Sequence, residues 1–384
     1  MKHNWEYKRL GSLFKTTSGG TPLKGVSEYY DGGTIPWLRS GEVCKKDIYN
    51  CEVFITDKAV NESSAKFVPA NSVVMAMYGA TAAQVGILRK SMTTNQAVCS
   101  ILPSSNYLPD FLYYYLSSLK VKLVGKAYGA AQPNISQTII TDIKVPILTH
   151  EEQKQIVAEL DKINELIEQN RELLRHLYTL AQSLFYDTFG DPVTNPKGWP
   201  IKKLSEICDA ISTGVTYKPD MVADKGTIVL RSSNIQNSQF VLDDIVRIQM
   251  PLKEDQYVRK NDILMCSRNG SARLVGKVTL IPELNERMSW GAFMTIIRSE
   301  HHPYLFQFFQ LPCFREQLSK TKTTTVNQIT IGMLKGIIVP FPSMPLQEQF
   351  AMQIEAIETQ KATVEKSIAE LQTLLDSRMD YWFN

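Results

Sequence analysis

The sequence predicts an α+β protein in which two similar globular domains alternate with two long helices that pack against each other. Three observations predict this organisation: two stretches with a heptad pattern of apolar residues, internal matches about 194 residues apart, and a charge balance that alternates in sign along the chain. The predicted segments are a first domain at 1–150, a first long helix at 151–189, a second domain at 190–344 and a second long helix at 345–384.

The first heptad pattern extends from about Glu151 to Asp187 and contains no glycine or proline. Steps of three and four residues keep one side of a helix apolar, so the pattern predicts a helix roughly 54 Å long at about 1.5 Å per residue. Its seam positions are Ile156, Leu160, Ile163, Ile167, Asn170, Leu174, Leu177, Ala181 and Leu184.

The same spacing returns after Pro345 and supplies a partner for the first helix. The seam positions of the second helix are Phe350, Ile354, Ile357, Lys361, Val364, Ile368, Leu371 and Leu375. Asn170 and Lys361 are the polar members of the two seams. Either they fix the register of the helix pair at some cost in stability, or they are polar residues that the seam tolerates.

The globular segments also repeat, in the same order in both halves. The matches include Trp5–Leu10 with Trp199–Leu204, Ile35–Ser40 with Ile228–Ser232, Asn134–Ser136 with Asn327–Thr330, and Glu152-Gln153 with Glu348-Gln349. The loops that follow Met75 and Met265 do not match. Two similar frames with different loops predict two sites that perform the same task on different targets.

The charge balance separates the domains from the helices. Residues 1–150 contain 16 Lys and Arg against 10 Asp and Glu, a balance of +6, and residues 190–344 contain 19 against 14, a balance of +5. The two helical segments have a balance of −4 each. Basic domains are a modest indication of nucleic-acid binding. We expect the acidic helices to stand away from phosphates and to bind protein.

Composition and motifs exclude several classes of protein. Six scattered cysteines without a CxxC pair indicate reduced thiols rather than disulfides or a zinc site. No apolar run approaches the ~18 residues that a membrane helix needs, and the polar N-terminal segment leads into no signal sequence, so we expect a cytoplasmic protein. No phosphate loop, methyl-donor loop or pairing of nucleophile and base is present, which predicts a chain without catalytic activity.

Together, the duplicated segments resemble the specificity (S) subunit of type I restriction-modification systems, over essentially the whole chain. The residues that carry the resemblance are Trp5–Leu10, Ser18–Pro22, Gln132–Ser136, Val145-Pro146, Glu151–Ile156 and Phe189–Trp199. The resemblance implies a non-catalytic subunit with two target-recognition domains, each reading one half of a split sequence in double-stranded DNA.

The same resemblance implies what the helices and the partners do. The two helices would pair antiparallel as a coiled coil, set the spacer between the half-sites, and dock two methyltransferase (M) subunits and, through them, restriction (R) subunits. No cofactor is expected on this chain, whereas S-adenosylmethionine and ATP are expected on the partner subunits.

Base reading requires hydrogen-bonding groups aimed at base edges, with arginine suited to guanine and asparagine or glutamine to adenine. In the first domain, the predicted DNA-binding residues are Arg39, Tyr78, Thr81, Gln84, Arg89, Lys120, Lys122, Lys126, Gln132 and Asn134. In the second domain, they are Arg231, Arg268, Asn269, Ser271, Arg273, Lys320, Lys322 and Asn327.

Structural roles stay open for several of these residues. Arg39 and Arg231 occupy matched positions, which favours a scaffold or phosphate-binding role over the reading of different bases. Asn134 and Asn327 are also typical of turns and helix caps, and the lysines of phosphate contacts or solvated charges. Two other function classes stay open as well: a coiled-coil scaffold whose basic domains bind proteins, and a DNA-modifying enzyme with unrecognised motifs.

Overall fold

The structure, a computed structural model, describes residues 4–126, 134–320 and 327–384. In the first half, the strands are β1 Tyr7–Arg9, β2 Thr16–Ser18, β3 Ile35–Leu38, β4 Asp47–Ile48, β5 Phe54–Ile55, β6 Phe67–Val68, β7 Val73–Ala76, β8 Val85–Leu88, β9 Met92–Thr94, β10 Val98–Ile101 and β11 Lys144–Pro146. The helices are α1 Leu10–Leu13, α2 Asp57–Glu62, α3 Pro109–Ser118, α4 Lys120–Lys126, α5 Gln137–Thr141 and the long α6 His150–Phe189.

The second half repeats this order of elements. Its strands are β12 Ile201–Lys203, β13 Ala210–Thr213, β14 Val222–Leu230, β15 Ile235–Gln236, β16 Gln239–Phe240, β17 Arg247–Ile248, β18 Ile263–Cys266, β19 Val278–Leu280, β20 Met288–Trp290, β21 Met294–Arg298 and β22 Ile338–Pro340. Its helices are α7 Leu204–Ile207, α8 His302–Phe308, α9 Pro312–Lys320, α10 Ile331–Gly336 and the long α11 Met344–Phe383.

Strand pairing confirms the internal repeat. The antiparallel pair β1·β11 places Tyr7 opposite Pro146, and β12·β22 places Ile201 opposite Pro340. The order β2-β10-β7-β8 in one sheet corresponds to β13-β21-β18-β19 in the other. In each half a parallel pair stands beside these strands, β3·β9 and β14·β20. The two domains are therefore built on one frame.

Glycine occupies one equivalent loop position in both domains because the backbone passes too close to a carbonyl for any side chain. A Cβ atom at Gly19 would lie 1.9 Å from the carbonyl oxygen of Thr94, and one at Gly214 would lie 1.9 Å from that of Trp290. The sequence shows this relation only faintly, because the residues around the two glycines differ.

The chain divides into two compact units, each with parts of both long helices. Unit 1 comprises Met1–Arg171 and Lys366–Asn384, and unit 2 comprises Glu172–Glu365. Each unit thus contains one globular domain, the N-terminal part of one long helix and the C-terminal part of the other. In unit 2 the two helix segments pair antiparallel, as predicted, because Tyr178 contacts Lys361 and Phe185 contacts the earlier Phe350.

Local sequence explains where α6 begins and ends. Thr149 and Glu152 form a capping box: the Glu152 carboxylate accepts hydrogen bonds from the Thr149 amide at 2.8 Å and hydroxyl at 2.7 Å, and Thr149 Oγ1 accepts one from the Glu152 amide at 3.3 Å. At the other end, Gly190 has φ +80 and its amide donates to the Tyr186 carbonyl at 2.8 Å. This is the left-handed termination that glycine favours.

The predicted seam positions differ in how deeply they are buried. The buried seam residues are Ile156, Leu160, Ile163, Ile167, Leu177, Ala181, Phe350, Ile354, Ile357, Lys361 and Val364, and the half-buried ones are Asn170, Leu174, Ile368, Leu371 and Leu375. Leu184 is half-buried as well, and the neighbouring Phe185 is 0 % exposed.

The two polar seam residues behave differently. Asn170 Nδ2 donates to the Leu166 carbonyl of its own helix at 2.8 Å. In unit 2, the Lys361 ammonium lies 3.9 Å from the centre of the Tyr178 ring on α6 and 2.8 Å from Glu358. Lys361 therefore contacts the partner helix and can contribute to the register, which is the first of the two interpretations.

The match of Glu152-Gln153 with Glu348-Gln349 was out of register by two residues. Both long helices carry a buried glutamine as their fourth residue, and it joins the helix to its domain. Gln153 Nε2 donates to the Asn106 carbonyl at 2.9 Å, and Gln347 Oε1 lies 3.1 Å from His301 Nδ1. The equivalent residues are therefore Gln153 and Gln347, which are 194 positions apart like the rest of the repeat.

Aromatic side chains fill the ends of the helix pair. In unit 2, Phe185 stacks on Tyr304 with ring centres 5.4 Å apart and meets Phe350 edge-on at 5.8 Å. In unit 1, Phe383 packs edge-on against Phe111 at 6.0 Å. These contacts bury large apolar surfaces and fix each domain on its helix segments.

Candidate nucleic-acid interface

A cleft of about 760 Å³ lies in domain 2, where the loops after β14 and β18 meet the turn before β21. Its walls include Tyr217, Arg231, Ser232, Arg268, Asn269 and Phe293. Three of the predicted residues, Arg231, Arg268 and Asn269, are therefore brought together. The cleft combines positive charge, amide groups and aromatic surface, which is the combination that contacts with base edges and phosphates require.

Short-range hydrogen bonds shape the 268–273 loop. Asn269 Oδ1 accepts from the Ser271 amide at 3.0 Å, and Asn269 Nδ2 donates to Ser232 Oγ at 3.2 Å. Arg268 forms an antiparallel bridge with Gln328. The backbone of the loop is thus held on two sides, while the Arg268 guanidinium is exposed and forms no ion pair within the described part of the chain.

Asn327 forms two hydrogen bonds with this loop. Its carbonyl accepts the Asn269 amide at 3.4 Å and its Nδ2 donates to the Gly270 carbonyl at 3.3 Å. The equivalence of Asn134 with Asn327 was wrong by one residue: Tyr78 bridges to Asn134, whereas Arg268 bridges to Gln328. Gln328 is the residue that corresponds to Asn134.

The matched arginines are both paired with carboxylates. Arg231 Nη2 lies 2.6 Å from Asp244. Arg39 Nε lies 2.9 Å from Glu42, and its Nη2 lies 2.6 Å from Glu52. These ion pairs agree with a scaffold role at both positions. Arg231 Nε is buried and has no hydrogen-bond partner among the described residues.

At the tip of the loop, Ser271 and Arg273 are exposed, and Arg273 forms no ion pair within residues 4–126, 134–320 and 327–384. An exposed, unpaired arginine suits a phosphate contact as well as a base contact. Lys322 lies outside the described residues, as does the side chain of Lys320.

In domain 1, the corresponding loop carries Tyr78, Thr81 and Gln84. Tyr78 is 38 % exposed. Thr81 Oγ1 donates to the Ser40 carbonyl at 3.0 Å, which joins this loop to the one that carries Arg39. Gln84 is half-buried at the end of the turn. Tyr78, Thr81, Asn134 and Arg39 therefore lie on adjoining loops.

Arg89 lies in an ion-pair network of unit 1 instead. Its Nε is 2.5 Å from Asp47 and its Nη2 is 2.7 Å from Asp110. Lys46 Nζ is 2.9 Å from Asp110 and also pairs with Asp161 on α6. Burial alone would raise the pKa of Asp110, but hydrogen bonds from Arg89 and Lys46 lower it below its ordinary value. The network favours a structural role for Arg89.

The remaining predicted residues of domain 1 lie on or after α4. Lys120 and Lys122 are exposed, and Lys122 Nζ donates to Asn384 Oδ1. Gln132 and the side chain of Lys126 lie outside the described residues.

The sequence patterns did not identify Phe293, Tyr217, Asp244 or Gln328 as part of the site. Phe293 is 58 % exposed in the cleft wall. A comparison of the two repeats could have found it, because the turn before β21 carries Gly-Ala-Phe where the turn before β10 carries Asn-Gln-Ala.

The described residues lack two kinds of feature. No group of three or more His, Cys, Asp and Glu side chains in the described ranges is arranged to hold a metal ion. No helix in the same ranges combines the length and apolar character needed to span a membrane.

The chain is similar in sequence to several known proteins. A family model described as "Type I restriction modification DNA specificity domain" matches residues 2–177 and 196–373. The type I restriction enzyme MjaIX specificity subunit of Methanocaldococcus jannaschii is 22 % identical over 403 residues, which cover 97 % of this chain and 91 % of that protein. The EcoR124I/EcoR124II specificity subunit of Escherichia coli is 30 % identical over 166 residues, covering 42 % of this chain and 41 % of that protein.

Solved structures share the fold. The crystal structure of a type I restriction-modification system S subunit from M. genitalium matches with a TM-score of 0.56 at 17 % identity, covering 99 % of this chain and 96 % of that one. A chain from a structure concerned with complex assembly and conformational transition of the type I R-M system matches with a TM-score of 0.61 at 18 % identity, covering 99 % and 97 %.

Proposed function

The chain belongs to the family of type I restriction-modification DNA specificity subunits, and we propose that it reads a bipartite target in double-stranded DNA, one half-site per target-recognition domain. In this proposal domain 2 reads its half-site with the cleft at Arg268 and Asn269, and domain 1 reads the other with the loops at Tyr78 and Asn134. The chain performs no chemistry itself and directs that of its partners.

One observation carries the proposal: equivalent loops on equivalent strands hold different side chains. The backbone bridges Tyr78–Asn134 and Arg268–Gln328 occupy the same place in the two frames. One loop presents a phenol and the other a guanidinium, while the strands that carry them keep the same pairing. Base reading needs this arrangement, because specificity must change while the loop position stays fixed.

The long helices have the role of a spacer in this proposal. At about 1.5 Å per residue, the 40 residues of α6 extend about 60 Å, which is about 18 base-pair steps of 3.4 Å. The separation of the half-sites would then depend on helix length. The balance of −4 on each helical segment disfavours contact with phosphates and favours contact with protein.

The proposed partners are two methyltransferase subunits, one for each repeat of the frame, with restriction subunits bound through them. A duplicated surface offers two similar docking sites, so two copies of one partner are the simplest stoichiometry. S-adenosylmethionine and ATP would be bound by those subunits, and the complex would act in the cytoplasm.

Methylation mapping tests the proposal. The chain is co-expressed with methyltransferase subunits from a type I system in a host that lacks adenine methylation, and modified adenines are mapped across the genome. We expect two short half-sites at one fixed separation. The matched control expresses the methyltransferase without this chain. Methylation without sequence preference, or equal methylation in the control, would contradict the proposal.

A salt series separates DNA binding from a protein scaffold. If the basic domains contact phosphates, the logarithm of the DNA association constant should fall steeply with the logarithm of salt concentration, by about 0.9 per phosphate contact. A shallow dependence would favour the scaffold.

A further inference from the structure

Phe293 is an exposed aromatic residue on a rigid backbone. Its ring is 58 % exposed, although a phenylalanine gains most from burial. Its carbonyl oxygen accepts three hydrogen bonds: from the Ser267 amide at 2.9 Å, the Arg268 amide at 3.0 Å and Ser267 Oγ at 3.0 Å. The backbone below the ring is therefore held in place, and the ring lies in the wall of the cleft.

The frame does not require an aromatic ring at this position. In domain 1 the equivalent carbonyl belongs to Ala97 and accepts the Met77 amide at 2.8 Å. The same backbone hydrogen bond thus forms with a methyl group in place of the ring. Phe293 belongs to the part that differs between the two domains, like the 268–273 loop beside it.

The ring lies beside the cation of the same cleft. The Arg268 guanidinium carbon is 5.2 Å from the centre of the Phe293 ring. Neighbouring bases stack about 3.4 Å apart along a strand. Two side chains whose groups are 5.2 Å apart are separated by between one and two base steps, so they can meet the edges of adjacent base pairs. An arginine suits the O6 and N7 atoms of guanine, and a phenylalanine suits the C5-methyl group of thymine.

We propose that Phe293 reads the C5-methyl group of a thymine in the base pair next to the guanine that Arg268 contacts. The inference rests on the proposed function, since it assigns one base to the domain 2 half-site. The domain 1 half-site lacks this contact, because Ala97 presents no ring. An alternative role for an exposed apolar ring is a wedge between base pairs, which would act without regard to the methyl group.

The experiment uses the full chain assembled with its methyltransferase subunits and synthetic duplexes that carry the mapped target. Thymines of the domain 2 half-site are replaced one at a time by deoxyuridine, which differs only by the absence of the methyl group. Binding is measured by competition for the wild-type complex and for Phe293→Ala. For the wild type, we expect one replacement to weaken binding on the order of fourfold, from about 0.8 kcal/mol per buried methyl-sized group.

The role of Phe293 is tested by comparing thymine with deoxyuridine in both the wild type and the variant. In Phe293→Ala, thymine and deoxyuridine at that position should bind equally, and Phe293→Leu should keep part of the preference. A second arm places cytosine or 5-methylcytosine at the position; the methylated base should bind the wild type more tightly by a similar factor, since the shared chemistry is the C5-methyl group. Domain 1 thymines serve as the internal control, and their replacement should affect wild type and variant alike.

Failure of the proposed function and failure of the methyl-reading role give different results. If no half-sites are found by methylation mapping, the proposed function fails. If half-sites are found but every thymine of the domain 2 half-site tolerates deoxyuridine, or if Phe293→Ala shows the same loss as the wild type, the methyl-reading role is refuted. Reduced binding of Phe293→Ala that is independent of the methyl group would refute it in favour of the wedge. Because the ring is exposed, the variant should keep the wild-type melting temperature, which checks that it folds.

Discussion

Replacement of Arg268 by alanine should relax one base pair of the domain 2 half-site and leave the domain 1 half-site unchanged. The Arg268 guanidinium is exposed at the cleft, lies beside the Phe293 ring and forms no ion pair among the described residues. No ion pair therefore has to be broken before it binds a base edge. A two-hydrogen-bond contact between arginine and guanine contributes about 1–3 kcal/mol of discrimination. We therefore expect preference for the recognised base to fall by roughly 5- to 150-fold.

The structure also ranks the arginines. Arg231 is paired with Asp244 at 2.6 Å, and a base contact would have to displace that carboxylate. Arg231→Ala should accordingly cost less base preference than Arg268→Ala. Arg268→Ala should change the free energy of unfolding by no more than about 0.5 kcal/mol, because its side chain is exposed. Arg231→Ala should cost more, because Arg231 is half-buried and its loss leaves the Asp244 carboxylate without this partner.

The assay measures methylation or binding of duplexes in which each position of the half-site carries each base pair in turn. Arg268→Lys is the conservative control: it keeps the charge but lacks the planar fork, so specificity should fall while the salt dependence stays. Arg273→Ala is the matched neighbour. If Arg273 contacts a phosphate, binding should weaken equally for all sequences, with the salt slope reduced by about 0.9. Uniform weakening by Arg268→Ala would refute its role as a base reader.

Three further outcomes follow from the packing, all measured by equilibrium or thermal unfolding. Phe185→Ala should destabilise unit 2 by about 3–5 kcal/mol because the ring is 0 % exposed, whereas the half-exposed Tyr186→Ala should cost about 1 kcal/mol or less. Gly214→Ala should cost about 1–3 kcal/mol through the 1.9 Å contact of its Cβ, and Gly270→Ala, with no atom within 4 Å, should be nearly neutral. The pKa of Asp110 is lowered in the folded protein, so its ion pairs stabilise the fold above the unfolded pKa of about 3.9, and this stabilisation is lost as the pH falls through the lower folded pKa. In Asp110→Asn, the free energy of unfolding should therefore depend less on pH in the acid range than it does in the wild type.

The long elements were predictable from the sequence because their signals are periodic. A heptad pattern over 40 residues averages out local exceptions, and α6 and α11 begin within one residue of the predicted bounds. The internal repeat was detectable for the same reason, since many weak matches in one order reinforce each other. Register inside short loops has no such redundancy. The equivalence of Asn134 with Asn327 rather than Gln328 was an error of one residue that only the backbone bridge corrects.

The roles of single charged residues depend on partners that are distant in sequence. Arg89 meets Asp47 and Asp110 through contacts 42 and 21 positions away, and no local pattern announces them. Arg268 resembles Arg89 in the sequence, as an arginine near a strand end, yet it keeps its guanidinium exposed. The difference between a scaffold arginine and a candidate reader is therefore a tertiary property, and composition cannot supply it.

In both domains, stability and specificity depend on different kinds of contact. At the candidate site, the contacts that repeat between the two domains are made by backbone atoms: the bridges at Tyr78 and Arg268, and the amide bonds to the carbonyls of Ala97 and Phe293. Backbone groups are the same whatever the side chain, so the frame persists while the side chains that it presents change. A new half-site then requires new side chains on a fixed set of carbonyls and amides, and the strands and helices below need not change. This is the physical reason why one duplicated frame can carry two different readers.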